Sequence, residues 1–103
     1  MAGIVWTEPA LNDLEAIADY IALDDPRAGR LLVQRIVRHV EQLRAHPDSG
    51  SKPRELRGWR YRQIVEPPCR VIYRHDGRRV FILYVMRGEQ RLRRRTLTRR
   101  DRT

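Results

Sequence analysis

Apolar side chains recur every three or four residues in two stretches of the N-terminal half of the chain. The first stripe consists of Ala10, Leu14, Ile17 and Ile21, and the second of Leu32, Ile36, Val40 and Leu43. This spacing places each set on one side of a helix, so we predict a first helix to about Leu23 and a second to about Ala45. Thr7 and Asp25 are the expected N-caps, since each stands one or two residues before a proline suited to a first helical turn.

The C-terminal half shows the alternation that is typical of strands. Residues 59–65, 69–75 and 78–86 are rich in β-branched and aromatic side chains, and residues 3–6 form a further short run. Residues 46–55, with two prolines and a glycine, form a loop between the two halves. The predicted order is β-α-α-β-β-β, an α+β fold of two layers in which a helical hairpin packs on one face of a mainly antiparallel sheet.

The dipeptide Asp76-Gly77 predicts a two-residue hairpin turn, which pairs residues whose numbers sum to about 153. A three-residue connection at residues 66–68 would pair Val65 with Cys69. The face that receives the helices then carries Tyr61, Cys69, Val71, Tyr73, Val80, Ile82, Tyr84 and Met86.

On this register the opposite face has an apolar floor with arginines around it. The floor consists of Ile72, Phe81, Leu83 and Val85, with Ile64 beside it, and the rim consists of Arg60, Arg62, Arg70, Arg74, Arg79 and Arg87. Arg60, Arg74 and Arg79 would form a row across three strands, which is unfavourable for stability alone. The face could receive an amphipathic peptide with acidic flanks or a nucleic acid, or it could be an ordinary exposed face covered by arginine stems.

Charge is unevenly distributed along the chain. The first 50 residues hold 5 basic and 8 acidic residues, the rest hold 17 and 5, and 21 of the 22 basic residues are arginine. Such an asymmetry indicates a nucleic acid, an acidic protein partner or a basic tail, although codon usage in a GC-rich genome also favours arginine. Residues 1–88 are predicted to form one domain, and the arginine-rich residues 89–103 a tail that is flexible when unbound.

Several classes of protein are disfavoured by the same sequence. Cys69 is the only cysteine, so an intramolecular disulfide and a thiolate zinc cluster are excluded, and a reducing cytoplasm is expected. The chain has no apolar run of signal-peptide or membrane-spanning length. We predict no metal, no cofactor, no membrane and no small-molecule substrate.

Three separated stretches resemble the ParE branch of the RelE/ParE toxins of bacterial type II toxin-antitoxin modules. They are "WTEPALNDLEAIADYIA", "LRAHPDSGSKPREL" and "YRQIVEPPCRVIYRHDGRRVFILYVMRG", and they span the chain from Trp6 to about Gly88. The resemblance implies a β-α-α-β-β-β toxin that is neutralised by an acidic, flexible segment of a ParD-like antitoxin. ParE-like members act on DNA gyrase, whereas RelE-like members cleave mRNA in the ribosomal A site, and the same fold serves both.

Proton-carrying groups distinguish these two activities, because cleavage through a 2′-hydroxyl needs cations and usually an acid or a base. The arginine face is predicted to hold neither histidine nor tyrosine, with Glu66 the one carboxylate near it. His39, His46 and His75 are assigned to the second helix, its end and the hairpin tip. A RelE-like endonuclease stays open as an alternative, with Lys52, Arg54 and Glu55 as its key residues, and a basic nucleic-acid-binding module is a third reading.

Together with the resemblance, the sequence therefore favours a non-enzymatic toxin that inhibits gyrase, with DNA-bound gyrase as one candidate target, and that is neutralised by an acidic ParD-like antitoxin. The residues expected to contact the target are Arg60, Arg62, Arg70, Arg74, Arg79, Arg87, Arg91, Arg93, Arg94 and Arg95. The groove expected to bind the antitoxin consists of Ile72, Phe81, Leu83 and Val85, together with the exposed sides of the helices.

Overall fold

Two helices and one face of a four-stranded sheet enclose the main core of the protein. The computed structural model describes residues 1–102. Its strands and α-helices are β1 (Gly3–Trp6), α1 (Glu8–Ala22), α2 (Pro26–Glu41), β2 (Tyr61–Glu66), β3 (Cys69–His75), β4 (Arg79–Arg87) and α3 (Arg94–Arg100), with 3₁₀ turns at Gln42–Arg44 and Arg54–Leu56. The α+β fold with a helical hairpin on a mainly antiparallel sheet is confirmed.

The N-caps of both predicted helices are found where the sequence places them. The Thr7 side chain accepts a hydrogen bond from the Ala10 amide, and the Asp25 carboxylate accepts from the amides of Arg27 and Ala28. α1 and α2 pack on the sheet through the two predicted stripes, of which Ala10, Ile36 and Val40 are fully buried.

The strands lie in the order β1-β4-β3-β2, and β1 runs parallel to β4 while the other pairs are antiparallel. β2 pairs with β3 through Tyr61 opposite Arg74 and Glu66 opposite Cys69, one residue away from the predicted register. A shift of one residue turns every side chain of β2 to the other face. Ile64 therefore joins the helix-covered core and Tyr61 the opposite face, the reverse of the prediction.

The hairpin between β3 and β4 also differs from its predicted register. The Asp76 carboxylate accepts hydrogen bonds from the amides of Arg78 and Arg79, and the Asp76 amide donates to the carbonyl of Arg79. Asp76 therefore pairs with Arg79 and closes the turn, instead of lying at its centre. Gly77 lies inside the turn and has a positive φ of 96°, which favours glycine. His75 consequently lies opposite Val80 instead of Arg78.

A bulge in β4 exchanges the faces of its last residues. Tyr73 pairs with Ile82 and Ile72 with Tyr84, so Leu83 is the extra residue. The bulge lies next to the end of β1. There Thr7 donates hydrogen bonds from both its amide and its hydroxyl to the carbonyl of Ile82, the residue before the bulge. After the bulge Val85 faces the helices, and Tyr84 and Met86 face the other side, so the predicted faces of these three residues are wrong.

The second face of the sheet is covered, which the sequence did not predict. α3 and the flanking loops pack on it and form a second apolar cluster of Leu56, Tyr61, Ile72, Phe81, Leu83, Met86, Leu92 and Leu97. Leu92 and Leu97, the apolar residues of the predicted flexible tail, are 3% and 0% exposed. The segment after residue 88 is thus part of the domain, in contrast to the expected separate tail.

Candidate functional site

Arg74 lies at the centre of the second face and is bonded to the C-terminal end of the chain. Its Nε donates to both carboxylate oxygens of Asp101, at 2.9 and 3.1 Å. The same carboxylate accepts from Arg60 Nη2 and from the Tyr61 hydroxyl, each at 2.8 Å. The side chains of Arg74 and Asp101 are only 9% and 1% exposed. This buried ion pair attaches the end of α3 to the sheet.

Arg70 forms a second internal ion pair on the same face. Its two terminal nitrogens donate to the Glu55 carboxylate at 3.1 and 2.6 Å, and also to the Gln63 side chain and the Gln90 carbonyl. Glu55 accepts a further bond from the Leu92 amide. The hydrogen bond from Arg70 lowers the pKa of Glu55 from 4.5 to about 2. The pair joins β2 and β3 to the 3₁₀ turn at Arg54–Leu56 and to the segment that follows β4.

Arg100 is the third inward-facing arginine, and it lies on the inner side of α3. Its guanidinium binds both oxygens of Asp13 on α1 and donates to the Leu83 carbonyl at 3.2 Å. It also lies 3.7 Å from the centroid of the Tyr84 ring. We call Arg70, Arg74 and Arg100 the inner arginines; each has a carboxylate of the same chain as its partner.

The four apolar residues predicted to form an open groove are buried. Ile72 and Leu83 are 0% exposed, Val85 1% and Phe81 7%. The guanidinium groups of Arg74 and Arg79 both stack on the Phe81 ring, at 4.4 and 5.0 Å from its centroid. The predicted groove is therefore not open in this structure, because α3 and its loops cover it and the bulge moves Val85 to the other core.

The remaining rim arginines are dispersed instead of aligned. Arg60 lies before β2, Arg62 donates to the Gly50 carbonyl, and Arg87 pairs with Glu89 at 2.9 Å. Arg79 is exposed at the start of β4. The predicted row of Arg60, Arg74 and Arg79 is wrong, since the cross-strand partners of Arg74 are Tyr61 and Phe81.

A separate group of arginines lies on the outside of the C-terminal segment. We call Arg91, Arg93, Arg94, Arg95 and Arg99 the outer arginines; all are exposed. The ion pairs formed among residues 1–102 include none of them. Arg94 stacks on the ring of Trp59, 4.8 Å from its centroid. The C-terminal half of the chain thus contains a paired inner set and an exposed outer set of arginines.

Tyrosines and histidines take structural partners. The Tyr61 hydroxyl donates to Asp101, and burial raises the pKa of Tyr61. The Tyr73 hydroxyl accepts from the Gly50 amide at 2.9 Å, and burial raises its pKa as well. His39 lies 3.0 Å from Glu66 and His75 lies 3.2 Å from Asp48. Tyr73 keeps its predicted face, whereas Tyr61 and Tyr84 lie on the opposite one.

Exposed apolar side chains concentrate on the helical hairpin. Leu11, Tyr20 and Leu23 of the α1 side are 48%, 66% and 86% exposed. Beside them a groove of about 290 Å³ is lined by Ala16, Ile17, Tyr20, Ile21, Pro68, Arg87 and Gln90. We call this the α1 groove. It combines an apolar floor with a cation at its edge, and sequence analysis anticipated it only as the exposed sides of the helices.

The carboxylates that pair with the inner arginines were missed by sequence reasoning. Glu55, Asp13 and Asp101 lie far from their partners along the chain, so no local spacing reveals the pairs. One signal was available, because Leu92 and Leu97 and the acidic Asp101 interrupt an otherwise basic tail. An amphipathic, internally docked helix would have explained all three.

Comparison with known proteins assigns the family. The model of the "ParE toxin of type II toxin-antitoxin system, parDE" matches residues 4–92. The chain belongs to the ParE toxin family. It is accordingly the toxin of a type II toxin-antitoxin system, as the resemblance implied.

Individual relatives are named as toxins or as part of a toxin-antitoxin system. The "Putative toxin Y4kP" of Sinorhizobium fredii is 38% identical over 87 residues, covering 84% of this chain and 88% of the relative. "Toxin RelE2" of Caulobacter vibrioides is 37% identical over 79 residues, covering 75% and 85%. A solved chain of the chromosomal ParDE TA system from P. aeruginosa has a TM-score of 0.71 and 33% identity, covering 86% of this chain and 98% of that chain.

Two further properties of the ParE-family chain concern metals and membranes. Across residues 1–102, no three histidine, cysteine or acidic side chains are grouped so that they could hold a metal ion. None of the helices in the described part is long and apolar enough to cross a membrane.

The Glu55–Arg70 pair makes stability depend on pH. Because the folded pKa of Glu55, about 2, lies below its ordinary value of 4.5, the carboxylate stabilises the fold above pH 4.5 and this contribution is lost as the pH falls toward 2. We expect Glu55→Gln to remove about 1–2 kcal/mol at neutral pH, since solvent partly screens the pair. Urea unfolding between pH 7 and pH 2 measures this.

The control for this prediction is Glu15→Gln, which removes an exposed carboxylate from α1. The free energy of unfolding of Glu55→Gln should fall less steeply with acid than that of the parent, whereas Glu15→Gln should follow the parent. Parallel profiles for all three proteins would contradict the assigned role of Glu55.

Proposed function

We propose that this ParE-family toxin inhibits DNA gyrase without performing chemistry and is neutralised by a ParD-like antitoxin. The observation that carries the proposal is the closed second face of the sheet. Its inner arginines are already bonded to carboxylates of the chain, and α3 lies over the apolar residues between them. A ribonuclease site on this face would need guanidinium groups that are open to a phosphate. The match to the ParE family supports the same choice.

Exposed arginines supply the target contact in this proposal. Of the ten predicted residues we keep Arg60, Arg79, Arg87, Arg91, Arg93, Arg94 and Arg95, whose side chains reach solvent. Arg70 and Arg74 are withdrawn because each is 8% exposed and internally paired, and Arg62 because it is bonded to the Gly50 carbonyl. The target is gyrase in its DNA-bound state, which places the toxin in the cytoplasm.

The antitoxin contact moves from the sheet to the helical hairpin. The α1 groove offers what an acidic, amphipathic antitoxin segment requires, namely apolar side chains to cover and Arg87 to pair with a carboxylate. The Arg87 side chain is half exposed and pairs with Glu89. A carboxylate of the antitoxin would replace Glu89 as its partner. Salt should slow this association, since the net charge of +9 steers an acidic partner toward the toxin.

One relative favours a second candidate function. "Toxin RelE2" carries the name of the branch that cleaves mRNA, so a ribosome-dependent endonuclease is the alternative. Tyr61 and Tyr84 lie on the sheet face that this alternative would use, beside Arg74 and Arg100. Both tyrosines are engaged under α3, so the alternative requires α3 to leave the sheet.

Two parallel assays test the proposed function. We expect the purified toxin to block plasmid supercoiling by gyrase or to trap cleaved DNA on it, and to leave mRNA on translating ribosomes intact. An arginine-rich peptide of the same net charge controls for nonspecific binding to DNA. Cleavage of mRNA with unchanged gyrase activity would overturn the proposal in favour of the endonuclease.

A further inference from the structure

The C-terminal helix α3 has two chemically different sides. On the inner side Leu97 is fully buried, and Arg100 reaches Asp13 and the Leu83 carbonyl. On the outer side Arg95 and Arg99 are four residues apart and therefore project from the same side of the helix. Folding has thus placed the paired cations against the sheet and the exposed cations toward solvent.

The outer arginines form a dense band of positive charge. Five guanidinium groups fall between residues 91 and 99, with only Leu92, Thr96, Leu97 and Thr98 between them. The helical part, from residue 94 to residue 99, is about 8 Å long at 1.5 Å per residue. Duplex DNA carries one negative charge for about every 1.7 Å of its axis, so a band of this length meets several phosphates.

The composition of the band favours a phosphate backbone over an acidic peptide. A docked peptide draws its affinity from apolar anchors, whereas phosphate binding depends mainly on cations that displace counterions. Leu92 and Leu97 are buried, and the large apolar side chains that are exposed lie elsewhere: Met1, Leu11, Tyr20, Leu23, Leu31, Val37 and Val65. The outer arginines therefore offer charge with little exposed apolar surface, since the Trp59 ring on which Arg94 stacks is partly buried.

We propose that the outer arginines bind the phosphate backbone of duplex DNA, independently of its sequence. This inference deepens the proposed function, because it identifies DNA in the gyrase–DNA complex as the partner of the outer arginines. Its biological role therefore rests on the proposed function. Four of the five, from Arg93 onward, lie beyond residues 4–92, the part that matches the family model. Most of this surface thus lies outside the part of the chain that matches the family model.

The test compares two triple variants that have the same net charge. Arg91→Gln/Arg95→Gln/Arg99→Gln removes outer arginines, and Arg27→Gln/Arg30→Gln/Arg38→Gln removes three exposed arginines from α2. Fluorescence anisotropy measures binding to a short duplex of arbitrary sequence at several salt concentrations. We expect the first variant to lower affinity about tenfold or more and to reduce the salt slope by about three units, and the second to remain close to the parent.

Three results would overturn the proposal: no salt-dependent binding of the duplex by the parent, equal losses in the two variants, or equally tight binding of polyglutamate to the same arginines. The last would indicate an acidic protein partner instead. Circular dichroism of both variants confirms that they remain folded. Because the duplex assay contains no gyrase, DNA binding without gyrase inhibition overturns the proposed function alone, and inhibition without DNA binding overturns this inference alone.

Discussion

Asp101→Asn is expected to destabilise the protein by about 3 kcal/mol, a large effect for a residue this close to the end of the chain. The Asp101 side chain is 1% exposed and accepts hydrogen bonds from Arg60, Tyr61 and Arg74. Asparagine keeps the shape but removes the charge, which leaves the buried guanidinium of Arg74 without a counter-ion. Urea unfolding measures the loss, and faster trypsin cleavage within α3 would show that the helix has left the sheet.

Asp24→Asn is the matched control, because Asp24 is exposed and its side chain contributes to none of the ion pairs found within residues 1–102. Its effect should remain within about 0.5 kcal/mol. The double variant Asp101→Asn/Arg74→Met should recover much of the lost stability, since it removes the uncompensated cation. If Asp101→Asn and Asp24→Asn behave alike, the ion pair does not hold α3 on the sheet.

Phe81→Ala should cost about 3–4 kcal/mol of folding free energy. Phe81 is 7% exposed, and the guanidinium groups of Arg74 and Arg79 stack on its ring. Truncation leaves a cavity in the second apolar cluster and removes the surface on which both arginines stack. Equilibrium unfolding in urea measures the change, and an unchanged denaturant slope would show that the two-state transition is retained.

Tyr20→Ala provides the complementary control at the α1 groove. Tyr20 is 66% exposed, so its removal should change stability by less than about 0.5 kcal/mol. Antitoxin affinity, measured by calorimetry, should fall about tenfold if the antitoxin covers the α1 groove. If Phe81→Ala is instead stable but does not bind the antitoxin, the result would support the antitoxin site on the sheet that the sequence predicted.

Local rules predicted the elements of this fold well. The two apolar stripes, the caps Thr7 and Asp25, and the three strand-forming runs depend on residues close in sequence, and each is found in the structure. Family resemblance then followed from motifs in the predicted order, and it was confirmed. These conclusions needed only spacing and side-chain type.

Register and burial depended on contacts between distant residues. One residue of shift at β2, and the bulge at Leu83, turned Tyr61, Ile64 and Val85 to the faces opposite to those predicted. Because strand side chains alternate with a period of two, a single-residue error inverts a whole face. The site prediction inherited these errors, since it combined residues by parity.

Spacing and side-chain type were enough to predict the α+β fold, the helical hairpin, the family and the concentration of arginine in the second half. Which arginines are available to a partner depends on tertiary contacts, because their carboxylate partners lie up to 87 residues away along the chain. Asp13, Glu55 and Asp101 neutralise the inner arginines, and Asp13 and Asp101 hold α3 against the sheet. The outer arginines and the α1 groove remain exposed. The type of a side chain determines its charge, but its burial and ion pairing determine whether that charge is available to a partner.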